Sequence, residues 1–228
     1  MPTLATTVHR SRLAAFWDSS IGKKIVMGVT GFIMVAFLVV HMAGNLQIFL
    51  GREAINRYSA LLHTSEELLW GARVVLIVSI ILHVVAAYQL TRRDWAARPI
   101  DYQQRVPQAA TFASRYMRIG GVVILVFVPL HLLNFTTGGW NPAFSQGDVY
   151  GNVVYAFVAW PALAVFYVLA MGVVGLHLYH GAWAMFRTLG LAKPTPDPMQ
   201  RRIVSALAWI VALGFVSIPA AVLLGLLR

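Results

Sequence analysis

The chain has 228 residues, of which 59% are hydrophobic and only 11% are charged, whereas globular domains carry about 25% charged residues. This balance excludes an ordinary soluble domain and predicts an integral membrane protein. The net charge of +10 does not indicate a nucleic-acid partner, because the Lys and Arg residues cluster between apolar segments. The chain has no cysteine, which excludes disulfides, thiolate-held iron–sulfur clusters and thioether-linked haem.

Five apolar segments are long enough to cross a bilayer, since about 20 residues span its hydrocarbon core. They cover residues 25–50, 68–90, 116–137, 153–186 and 203–227. The predicted fold class is therefore all-α: one transmembrane domain, residues 1–228, with five membrane-spanning helices. The fourth predicted helix is unusually long.

Basic residues lie mainly on one side of these segments: in the N-terminal segment up to residue 24, and in the connections 92–118 and 187–202. Because positive loops stay in the cytoplasm, we expect a cytoplasmic N-terminus and an outside C-terminus. The expected location is the bacterial inner membrane, with membrane lipid as a partner of the basic side. The other side carries only Arg52, Arg57, Arg73 and Arg228.

Four of the seven histidines lie inside separate apolar segments, and an ionisable side chain at membrane depth is a functional hypothesis by default. At about 1.5 Å rise per residue, His41 and His131 fall roughly 5–7 Å to the outside of the midplane. His83 falls about 6 Å to the inside. Both His177 and His180 lie on the inner side of the fourth segment, so either could pair with His83. The other would support the ligand or bind a haem propionate.

Two histidine pairs at two depths favour two non-covalent, bis-histidine haem b groups in the helix bundle. Two axial imidazoles fill both open positions of the haem iron, which leaves electron transfer as the use. A transporter that relays protons through histidines, without haem, is the alternative from another functional class. Several glycines would either let a flat macrocycle approach a helix or serve helix packing: Gly28, Gly31, Gly44, Gly120, Gly121, Gly172, Gly175 and Gly181.

Three stretches are similar to a known family: SSIGKK at 19–24, VHMAGNL at 40–46 and LHLYHGAW at 176–183. They resemble the cytochrome b membrane-anchor subunit of succinate dehydrogenases and fumarate reductases, of the single-subunit, five-helix, di-haem type. The resemblance runs from about Ser19 to the last span. It implies that the haem distal to the soluble subunits is held by His41 and His131, and the proximal haem by His83 and His177. In the family, the ligand on the fourth span precedes a glycine by four residues and an aromatic residue by six. Gly181 and Trp183 occupy these positions relative to His177.

The resemblance also implies partners and an activity. A flavoprotein subunit oxidises succinate or reduces fumarate, an iron–sulfur subunit relays electrons, and the anchor passes them to a quinone, commonly menaquinone. The anchor itself does not touch succinate. Position 175, where some members carry a glutamate thought to help proton transfer, is Gly175 here. A di-haem anchor of another dehydrogenase, such as a hydrogenase or formate dehydrogenase, is the second alternative.

Quinone reduction needs a proton donor near a quinone carbonyl, and the outer connection offers three candidates. They are His63, Glu66 and Glu67, just before the second span. The alternative interpretation of the two glutamates is a solvated charge pair, favoured at a helix start by the helix dipole.

Overall fold

The computed structural model describes residues 11–97, 111–192 and 198–228. Parts of the predicted basic side, including Arg10, Arg98, Arg105 and Lys193, lie outside the described residues. Within the described ranges the chain is helical, with no strand.

Five helices are long and apolar enough to cross a membrane, which confirms the predicted all-α architecture. They are α2 (Ser20–Asn45, extended by a 3-10 turn, Leu46–Leu50), α4 (Glu66–Ala96), α5 (Phe112–Phe135), α7 (Pro161–Thr188) and α8 (Pro198–Leu223). The remaining described helices are short: α1 (Arg12–Asp18), α3 (Arg52–Leu62) and α6 (Val149–Ala159).

Hydroxyl and carboxylate side chains begin several of these helices. Ser19 accepts a hydrogen bond from the Gly22 amide at the start of α2, and Thr111 does the same for Ser114 at the start of α5. Such caps satisfy backbone N–H groups that have no partner inside the helix. They fix where α2 and α5 enter the bundle, and therefore the register of the histidines that follow.

The fourth apolar segment differs from the prediction of one long helix over 153–186. The helix is interrupted at Trp160, whose backbone is extended (φ −131°, ψ 80°), and α7 starts at Pro161. Proline disfavours helical geometry in the preceding residue and has no N–H to donate, but it fits the first position of a helix. The histidine-bearing span is therefore α7 alone, with 28 residues.

Helix α7 is the centre of the bundle, packing against α2, α5, α6 and α8, while α4 packs mainly on α2. The main buried cluster includes Phe127, Tyr167, Met171 and Val174. Many large apolar side chains on the outward faces are exposed, as expected for surfaces that meet lipid tails rather than water. The polar groups of interest are thus held between α2, α4, α5 and α7.

Lys23 is buried where the chain turns from α1 into α2. Its place among the basic residues of the N-terminal segment had suggested an exposed position. Only 1% of it is exposed, its ammonium group donates to the Trp17 carbonyl, and it lies 5.2 Å from the centroid of the Trp17 ring. Lys23 therefore joins α1 to α2, while its neighbour Lys24 is exposed.

Candidate functional site

His41 on α2 and His131 on α5 lie side by side; we call them the outer pair. Their ring centroids are 5.9 Å apart and their planes are perpendicular. His41 also stacks on Phe37 with a centroid distance of 5.1 Å. Three further aromatic rings surround the pair: Phe127, Phe135 and Phe215. Aromatic side chains thus line the pair, and both histidines are half-buried.

Polar neighbours orient both rings of the outer pair. The Tyr167 hydroxyl on α7 lies 3.4 Å from His131 Nδ1, a long polar contact. The Asn45 amide lies 3.4 Å from both ring nitrogens of His41 and donates to the His41 carbonyl at 2.7 Å. Because Tyr167 engages Nδ1 of His131, Nε2 is the nitrogen left to bind another group.

His83 on α4 and His177 on α7 form the inner pair, with ring centroids 6.4 Å apart and planes inclined by 54°. His83 Nδ1 lies 3.1 Å from the Met27 carbonyl and 3.3 Å from Thr30 Oγ1. A carbonyl only accepts, so Nδ1 carries the proton and donates to Met27. Nε2 of His83 is then the unprotonated nitrogen, and metal-binding histidines are held in this way by a backbone carbonyl.

His177 Nδ1 is buried and has no hydrogen-bond partner among the described residues. An unpaired polar atom in a buried position costs about 1–3 kcal/mol. One ring nitrogen of His177 therefore lacks a partner among the described residues.

His180 occupies a different place on α7. It lines a small polar pocket of about 120 Å³, and the Arg201 guanidinium in this pocket lies 5.8 Å from the Trp183 ring. A histidine and an arginine beside hydroxyl groups could bind carboxylates. The structure thus brings His177 next to His83 and puts His180 in a pocket that Arg201 also lines. The other lining residues of this pocket are Thr111, Ser114 and Tyr179.

Two of the eight glycines lie directly against the inner pair. A Cβ added at Gly31 would lie 3.5 Å from His83 Cε1, and one added at Gly121 would lie 3.7 Å from His177 Cε1. Because Gly31 on α2 and Gly121 on α5 have no side chain, the helix backbone lies close to both imidazoles. The sequence alone could not show these contacts, because each glycine could equally well serve helix packing.

Other glycines serve helix packing. Gly44 lies against the Tyr58 ring, and a Cβ at Gly175 would lie 2.9 Å from Ala212 Cβ. Real Cβ atoms essentially never approach so closely, so position 175 has no room for the glutamate that some members of the resembling family carry.

The two pairs are separated along the bundle. Ten residues separate Gly31, which touches His83, from His41 on the same helix, and ten separate Gly121, which touches His177, from His131. At 1.5 Å per residue this places the pairs about 15 Å apart along the helix axes. The four histidines therefore form two sites.

The ring separation of each pair is compatible with one metal between two imidazoles. A ligating imidazole nitrogen lies about 2 Å from its metal, so two rings on opposite sides of the metal have centroids about 6 Å apart. The observed distances are 5.9 and 6.4 Å. Among the described residues no three His, Asp or Glu side chains form a group that could hold a metal ion by themselves. A macrocycle such as haem could supply the other ligands of a metal held by either pair.

The three quinone candidates lie together at the turn between α3 and α4. His63 Nδ1 contacts the Ser59 carbonyl at 2.8 Å, and Ser65 donates to the Glu67 carboxylate at 3.3 Å. His63, Glu66 and Glu67 are all exposed. The contacts described for them stay within this turn and do not join them to the outer pair.

A salt bridge outside the spans ties α3 to α6. The Arg52 guanidinium binds the Asp148 carboxylate, to which Asn56 also donates at 2.9 Å. The Arg52 hydrogen bond, with help from Asn56 and the Gly151 amide, lowers the pKa of Asp148 to about 2. Arg52, predicted only as a loop charge, is thus a structural residue.

No protein-family model, curated protein or solved structure matches the chain.

Proposed function

We propose that this chain is the di-haem cytochrome b anchor of a succinate:quinone oxidoreductase in a bacterial inner membrane. The observation that carries the proposal is the pair of imidazole sites, one above the other, between four helices. Each has the ring separation that one iron requires, and each has a ring whose Nδ1 is engaged by the chain. The sequence stretches at 19–24, 40–46 and 176–183 support the assignment to the succinate dehydrogenase and fumarate reductase type.

Four histidines would hold the two haems, and two neighbouring residues would orient them. His41 and His131 would hold the outer haem, and His83 and His177 the inner one. A haem with two axial imidazoles supplies a one-electron carrier with no vacant coordination site. Met27 and Tyr167 would keep the ligand rings in one tautomer and orientation.

His180 and Arg201 would bind the propionates of the inner haem. Their pocket adjoins the inner pair along α7, where His180 lies three residues after His177. Positions three apart share a helix face. An arginine is a strong partner for a carboxylate because it can donate two parallel hydrogen bonds.

The flavoprotein and iron–sulfur subunits would dock at the inner end, where α2 begins and α4 ends. This end is basic: Lys24 and Arg115 are exposed, and Arg118 pairs with Asp94 at 2.7 Å. Electrons would enter at the inner pair and leave from the outer pair to menaquinone or another quinone. The same surface can also attract anionic lipid headgroups.

The complex purified from native membranes tests this proposal. Addition of succinate should produce the absorption bands of reduced haem b, and malonate should slow the reduction. A flavoprotein and an iron–sulfur protein should co-purify with the chain. Reduction by hydrogen or formate, but not by succinate, would assign the anchor to another dehydrogenase. A folded, colourless protein would favour the proton-relay transporter.

A further inference from the structure

Thr30 is a buried hydroxyl residue within the membrane span α2. Only 5% of it is exposed. Helix α4 packs directly on α2, and at this contact Thr30 Oγ1 lies 3.3 Å from Nδ1 of His83. A polar side chain that meets a neighbouring helix inside a membrane commonly bonds across the contact. The question is therefore what the Thr30 hydroxyl does for His83.

The hydrogen bonds of Thr30 within α2 fix the direction of its hydroxyl proton. Its Oγ1 lies 2.7 Å from the Val26 carbonyl and 3.2 Å from the Met27 carbonyl. Threonine in a helix commonly bonds a carbonyl three or four residues before it. A carbonyl only accepts, so the hydroxyl donates its proton to Val26, the nearer of the two. The lone pairs of Oγ1 are then available to accept a hydrogen bond from His83.

The Nδ1–H group of His83 thus meets two acceptors on one turn of α2. It donates to the Met27 carbonyl at 3.1 Å, and Thr30 Oγ1 at 3.3 Å is a second acceptor for the same proton. Positions 27, 30 and 31 lie on one face of the helix, because residues three and four apart are neighbours. Met27 and Thr30 therefore hold the edge of the imidazole, and Gly31 lets the ring lie close to the backbone.

The other imidazole of the inner pair has no such support. Nδ1 of His177 has no hydrogen-bond partner among the described residues. A change at Thr30 therefore acts on one ring of one site. The outer pair lies far away, since Thr30 precedes His41 by 11 residues, about 16 Å along the helix. Substitutions separated by more than about 10 Å usually act independently.

We propose that Thr30 is a positioning residue of the inner site, which holds the His83 ring and makes its ligating nitrogen more basic. The inference rests on the proposed function, which makes His83 a haem ligand. A hydrogen bond donated by Nδ1 fixes the tautomer and the orientation of a metal-binding histidine and raises its basicity. A more basic axial ligand favours ferric over ferrous iron, so Thr30 lowers the midpoint potential of the inner haem.

Redox titration of the intact complex, followed at the haem absorption bands, tests this role in Thr30→Val and Thr30→Ser. Valine has the shape of threonine without the hydroxyl, whereas serine keeps the hydroxyl. One neutral hydrogen bond changes an equilibrium constant by a factor of about 2–10. In Thr30→Val we expect the ratio of oxidised to reduced inner haem to fall about threefold at a fixed potential. At 59 mV per tenfold for one electron, this is an upward shift of about 30 mV.

The serine variant and the outer haem serve as internal controls. Thr30→Ser should restore the wild-type potential of the inner haem, because Oγ can still accept from His83. The potential of the outer haem should not change in either variant. Both variants should keep two haems per chain, because all four histidines are present.

Ser217 on α8 offers a matched control in another helix. Its hydroxyl donates to the Gly214 carbonyl of its own helix at 2.6 Å, and no contact with a histidine is described for it. Ser217→Ala removes the same kind of bond between a hydroxyl and a helix carbonyl. Both haem potentials should stay at their wild-type values in Ser217→Ala.

Three results would overturn the role of Thr30. They are an unchanged inner potential in Thr30→Val, an equal shift of both haem potentials in Thr30→Val, and the same shift in Thr30→Ser as in Thr30→Val. Failure of the proposed function has a different signature, because the wild-type complex would then show no haem spectrum to titrate.

Discussion

Removal of one histidine should remove one haem and leave the other in place. If the proposal is correct, His131→Ala would remove one of the two histidines that hold the outer haem, whereas the inner site would keep both His83 and His177. The two pairs lie about 15 Å apart along the helix axes. Substitutions separated by more than about 10 Å usually act independently. Haem content should therefore fall by half, from two haems per chain to one.

Pyridine haemochromogen analysis of the purified variants gives the haem-to-protein ratio, and low-temperature spectroscopy identifies the signal that is lost. His41→Ala should lose the same signal as His131→Ala, while His83→Ala and His177→Ala should lose the other. Correct assembly is checked by gel filtration and helical circular dichroism, because loss of haem can weaken the bundle. Loss of one common signal in His83→Ala and His131→Ala, with the other signal intact, would refute the pairing.

Three further predictions concern single residues. His180→Ala should keep both haems and shift only the midpoint potential of the inner haem, whereas His177→Ala should lose the inner haem. Redox titration separates these outcomes, and the reverse pattern would make His180 the ligand. Asp148 has a folded-state pKa of about 2 against an ordinary 3.8, so its contribution to stability is present above about pH 4 and is lost as the pH falls toward 2. The Tm of Asp148→Asn should accordingly lose part of this acid dependence; an unchanged profile would contradict the role of the salt bridge. Lys24→Glu should weaken co-purification of the iron–sulfur subunit, while Arg57→Ala at the other end should not; equal loss in both would argue against docking at the inner end.

The histidine pairs could be predicted because depth depends only on where a span starts and on the rise per residue. Residues of equal depth lie at one level of a helix bundle, so His41 could be matched with His131 without knowing how either helix is rotated. The ring contacts could not be predicted in this way. The engagement of Nδ1 of His83 by Met27, and of His131 by Tyr167, depends on helix rotation and on which helices are neighbours.

Two features were predicted wrongly or missed for identifiable reasons. The break at Trp160 was hidden by continuous hydropathy from 153 to 186, although Pro161 gives a local signal for a helix start. The burial of Lys23 was missed because charge patterns do not show that α1 turns back on α2.

The most direct measurement is electron paramagnetic resonance of the oxidised wild-type protein, combined with its haem-to-protein ratio. We expect two haems per chain, both low-spin, because the proposal gives each iron two imidazole ligands: His41 with His131, and His83 with His177. A folded protein without haem, a ratio of one haem per chain, or a dominant high-spin signal would contradict it.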